Sequence, residues 1–65
     1  MNKIPETIKN ARIRKGYTQL QLAQIMGYAS HRSIQQWESG RRPVPDNKKR
    51  ELASLLGLTL DDLIP

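Results

Sequence analysis

Residues 18–38, TQLQLAQIMGYASHRSIQQWE, read as two short helices joined by a tight turn. Thr18 is a good N-cap, and Gln21 three residues later completes a capping box, so the first of the pair should begin at Gln19. Leu22, Ala23, Ile25 and Met26 then recur at helical spacing. Gly27 falls where a residue just past a helix needs positive φ, which glycine adopts without a Cβ penalty, and this predicts a stop at about Met26. Ser30 offers a second start, capping a helix from His31 to about Glu38. Tyr28 and Ala29 leave room only for a turn between the two, with Tyr28 the aromatic expected to be exposed.

On a wheel of about 100° per residue, Ile34 and Trp37 fall on one side of that second helix. His31, Gln35, Ser39, Arg32 and Gln36 share an arc of roughly 140° on the other. The bland interpretation is an ordinary solvated face. Against it stand the short capped helix just before, the lack of an acidic residue on the outward arc, and the charge of the whole chain. Arg pairs bidentately with guanine and Gln with adenine, and an α-helix fits the major groove of B-DNA, so the arc suits reading base edges.

Downstream, Gly40 closes the helix, and Arg41-Arg42-Pro43-Val44-Pro45 cannot continue it, because proline removes donors and disfavours α geometry in the preceding residue. A further helix is expected from Asp46 or Asn47 to Leu56, with Leu52, Ala53, Leu55 and Leu56 inward and Gly57 just past its end. Lys48, Lys49 and Arg50 sit in its first turns, the unfavourable end of the macrodipole, which solvent or a nearby phosphate backbone would offset. Thr59 with Asp62 forms another capping box, opening a short segment with Leu60, Leu63 and Ile64.

Upstream, a helix from about Pro5 to Lys15 has proline at its start, Glu6 in its first turn, Arg14 and Lys15 in its last, and Gly16 to end it. Ile4, Ile8 and Ala11 make its inward stripe. Arg12 lies one turn beyond Ile8 beside that stripe, and Glu38 borders the apolar side of its own helix; an Arg12–Glu38 ion pair is expected where the two meet. Tyr17 and Trp37 are core anchors in this scheme.

Composition narrows the function. The chain has 65 residues, room for one domain, residues 1–65, and none for a catalytic cleft beside a separate core. A net charge of +5 and a pI near 10.1 favour a polyanionic partner. Five of the eleven basic residues, Arg41, Arg42, Lys48, Lys49 and Arg50, cluster in the ten residues after Gly40. The absence of cysteine gives no disulfide framework or thiolate metal site. The opening MNKIPETIKN lacks an apolar signal-peptide region, no run approaches a membrane span, and no amphipathic helix with a large apolar face suits a membrane surface. A soluble cytoplasmic protein is expected. One histidine and one adjacent carboxylate pair supply no nucleophile with its base and no metal constellation, so no enzyme, metal or cofactor is expected.

Arg12, Gly16-Tyr17-Thr18-Gln19, Leu22-Ala23, Gly27, Ile34, Trp37-Glu38 and Gly40 occur in the order and nearly the spacing of one known pattern. On these residues the chain resembles the helix-turn-helix domains of lambdoid phage repressors and Cro proteins, over almost its whole length. Between Gly27 and Ile34 it is one residue longer than the usual pattern, which enlarges the turn Gly27-Tyr28-Ala29-Ser30. The resemblance implies an all-α, lambda-repressor-like bundle of about five short helices, helices two and three forming the helix-turn-helix. It implies the same Arg12–Glu38 pair and a repressor-type transcriptional regulator from a phage or prophage, acting as a homodimer on a pseudo-palindromic duplex site. His31, Arg32, Gln35 and Gln36 would then face bases. Ser39, Arg41 and Arg42 would hold phosphates, joined by Gln19, whose role comes from the family's pattern. Two alternatives stay open. An antitoxin-type interaction module of the same fold would need an apolar surface, for which Leu60–Ile64 is the candidate. RNA or nonspecific binding is permitted by charge, but an aromatic content of 5% and an inward Trp37 speak against stacking on single strands.

Overall fold

In the structure, a computed structural model that describes residues 3–64, every regular element is helical. Four α-helices, α1 (Ile4–Lys15), α2 (Gln19–Ile25), α3 (Arg32–Ser39) and α4 (Asp46–Leu56), are followed by a 3-10 turn at Leu60–Leu63. Of the five expected helices, the last is thus a single turn. α1 packs on α3, α4 and the 3-10 turn, and α2 packs on α3.

The apolar spacing explains this arrangement. Ile8 and Ala11 of α1, Leu22 and Ala23 of α2, Ile34 and Trp37 of α3, and Leu52, Ala53 and Leu56 of α4 close on one core with Met26, Val44 and Leu63. Full burial of such side chains stabilises by about 1.5–3 kcal/mol each before chain entropy is subtracted. Tyr17 and Leu55 lie half-buried against the core rather than in it. Among the described residues no buried side-chain polar atom lacks a partner.

The helix ends follow the local signals closely. Thr18 Oγ1 accepts the Gln21 N–H at 3.0 Å while Gln21 Oε1 accepts the Thr18 N–H at 2.9 Å, and Thr59 with Asp62 repeats the reciprocal pattern. Gly27, at φ 89°, donates to the Gln24 carbonyl, and the Tyr28 N–H reaches the Ala23 carbonyl at 2.9 Å. These two bonds satisfy carbonyls that α2 would otherwise leave open. α2 therefore ends at Ile25, and Met26 is its capping residue.

Three boundaries differ from expectation. α1 begins at Ile4, which moves Pro5 into the second helical position, still within the turn where no backbone donor is needed. α3 begins at Arg32 and continues to Ser39. His31 occupies the capping position with αR geometry and no side-chain cap, so Ser30 does not fill the N-cap place predicted for it. The Ser30 hydroxyl still accepts the Arg32 N–H at 3.4 Å, serving the same orphan donor from two residues upstream.

Candidate nucleic-acid interface

The polar arc of α3 forms one surface. Arg32, Gln35, Gln36 and Ser39, joined by Arg41 from the following loop, line an open concavity of about 450 Å³. No acidic side chain lines it. Five of the eight residues read as nucleic-acid contacts thus line the concavity; His31 and Arg42 are exposed outside it, and Gln19, half-buried, also lies outside it. 

The Gln36 carbonyl holds the end of this surface together. It accepts the Arg41 N–H at 3.0 Å, the Arg42 N–H at 3.4 Å and the Ser39 hydroxyl at 3.2 Å. The two arginines are therefore anchored at their backbone while their side chains stay exposed. Gly40, at φ 78°, makes this return possible, and the space where a Cβ would project is 3.5 Å from Pro5 Cγ. The Ser39 proton is committed to Gln36, so donation to a phosphate requires the hydroxyl to rotate away.

Arg12 and Glu38 meet beneath the surface. Arg12 Nε donates to Glu38 Oε2 at 2.6 Å and Nη2 to Oε1 at 3.2 Å, while Nη1 donates to the Tyr17 carbonyl at 2.8 Å. The side chains are only 11% and 4% exposed. Gln19 joins them, its Nε2 donating to Glu38 Oε1 at 3.1 Å. One of its two amide protons remains for another acceptor. This network turns the one carboxylate of α3 inward and neutralises it, which leaves the outward face positive.

Tyr28 differs from expectation. It is half-buried, with its ring edge-on to Trp37 at 5.9 Å between centroids and 76° between planes, and Lys48 Nζ lies 5.3 Å from its ring centroid. No local signal sets this burial, because the ring's partners Trp37 and Lys48 lie on α3 and α4, nine and twenty residues further along the chain. The start of α4 also differs, since Lys49 pairs with Asp46 at 3.0 Å and Lys48 approaches Glu51 at 3.8 Å. Of the three cations there, Lys48 and Lys49 are half-buried and Arg50 is exposed. Both pairs stand at i,i+3 spacing within the helix expected from Asp46 or Asn47, so their signal was present in the sequence.

Among the described residues no group of His, Cys, Asp and Glu could hold a metal ion, and no helix is long and apolar enough to cross a membrane. A helix-turn-helix family model matches residues 8–63, from α1 through the 3-10 turn, and the chain belongs to that family, of the Cro/C1 type. Membership carries DNA binding in a transcription-regulator role. Comparison with curated proteins and with solved structures finds no match.

Proposed function

We propose that this domain is a repressor-type regulator that binds a pseudo-palindromic operator as a homodimer and blocks a promoter by occupying it. The supporting observation is the concavity on α3, lined by Arg32, Gln35, Gln36, Ser39 and Arg41 and by no acidic side chain. In this reading His31, Arg32, Gln35 and Gln36 face base edges, Arg32 suited to guanine O6 and N7 and the glutamines to adenine N6 and N7. Gln19, Ser39, Arg41 and Arg42 hold the phosphate backbone and set the register of α3 in the groove. Selection on random duplex DNA tests this. The expected motif is two inverted half-sites about 10–10.5 base pairs apart, or a multiple of that spacing. An asymmetric motif refutes the dimer, and no motif refutes sequence-specific reading.

A second reading, an antitoxin-type module that also engages a protein, is favoured by exposed apolar side chains: Leu60 is 40% and Ile64 54% exposed at the 3-10 turn. The same surface would serve a second copy of the chain. Leu60→Ser with Ile64→Ser separates the two. A dimer surface predicts loss of paired half-site occupancy with half-site binding kept, whereas a surface for a different protein predicts DNA binding unchanged.

A further inference from the structure

Between the end of α2 at Ile25 and the start of α3 at Arg32 the chain passes through residues 26–31. Gly27 and Tyr28 are tied back to α2 through their N–H groups. Ala29, Ser30 and His31 are exposed, and among the described residues no backbone hydrogen bond holds their N–H groups. The next fully buried side chain is Ile34. Across that gap the ring of Tyr28 is the tertiary anchor, held edge-on by Trp37 of α3 on one side and covered by Lys48 of α4 on the other. An aromatic ring offers its positive edge and negative face to these two kinds of partner at once.

We propose that Tyr28 is a positioning residue for base recognition: by clamping the turn between Trp37 and Lys48 it sets where α3 begins and how His31 and Arg32 are presented. This rests on the reading of α3 as the base-reading helix. Gln35 and Gln36 lie a turn further on, next to the buried Ile34 and Trp37, and do not depend on the clamp. Tyr28 touches no base in this account; it acts through the backbone it holds.

The test is binding-site selection with the full chain and four variants: Tyr28→Phe, Tyr28→Leu, Arg32→Ala and Gln36→Ala. Leucine fills much of the space but loses both ring interactions, and phenylalanine keeps them. Base preference is a ratio between sequences measured on one sample, so partial unfolding, which lowers the active fraction, leaves it unchanged. Tyr28→Leu should reduce discrimination about tenfold at the base pair that Arg32→Ala relaxes, within the range of one good base contact. It should leave the Gln36 position at its original preference, and Tyr28→Phe should match the parent chain. A motif weakened evenly at all positions, or unchanged, in Tyr28→Leu overturns the positioning role. If Arg32→Ala leaves the motif intact, the assignment of Arg32 to a base falls; the role of Tyr28 then stands if Tyr28→Leu alone shifts the motif, and falls if it does not.

Discussion

Truncating either member of the Arg12–Glu38 pair should bring the domain close to unfolding. With side chains 11% and 4% exposed, the two charges are screened little by water, and each holds a further partner: the Tyr17 carbonyl for Arg12 and the Gln19 amide for Glu38. Glu38→Ala leaves the guanidinium buried with one carbonyl in place of three acceptors, and Arg12→Ala leaves the carboxylate with one amide. Breaking a buried pair in this way costs about 3–5 kcal/mol. At roughly 0.05–0.15 kcal/mol per residue, the whole domain has a stability of about 3–10 kcal/mol, so one truncation removes a large part of it. The thermal midpoint should fall by about 12 °C or more, at about 4 °C or more per kcal/mol. Arg12→Leu with Glu38→Leu should cost less than the sum of the single changes, because no charge is left buried. Urea titrations followed by Trp37 fluorescence and by helicity measure all three, and the parent chain's stability should change little on raising salt. Single changes below about 1 kcal/mol that add within error, the behaviour of an exposed pair, refute the reasoning.

Log Kd should vary linearly with log salt, with a slope of about 0.9 per phosphate neutralised, and Arg41→Ala with Arg42→Ala should lower that slope by nearly two phosphates; an unchanged slope removes the loop from the interface. Arg32→Ala and Gln36→Ala should each relax preference at a different base pair by about 1–3 kcal/mol without altering the salt slope, and a motif weakened everywhere in both would make them positioning contacts. Gly27→Ala meets open space but must hold φ near 89°, so it should destabilise the fold by about 1–2 kcal/mol through backbone strain alone, and chemical denaturation with no measurable loss would show that the turn can relax.

What could be read along the chain is what depends on near neighbours. Thr18 with Gln21 and Thr59 with Asp62 find each other within one turn, and α2 ends through bonds from Gly27 to Gln24 and from Tyr28 to Ala23, so hydrogen-bonding rules of short range suffice. The inward stripes of Ile8 and Ala11, of Leu22 and Ala23, and of Ile34 and Trp37 follow from the 3.6-residue period, and Arg12 with Glu38 was reachable because both border such stripes. Tertiary structure alone decided the partners that share no turn. Tyr28 looks like a solvent-facing turn residue until Trp37 and Lys48, nine and twenty residues further on, close around it. Gln19 has a polar side chain at a helix start, and only the approach of α3 gives it Glu38 as an acceptor. The physical reason is the same in both cases: the energy of an aromatic edge, a cation over a ring or an amide on a carboxylate depends on distance and angle set by how helices pack, and the linear order of residues does not contain those angles.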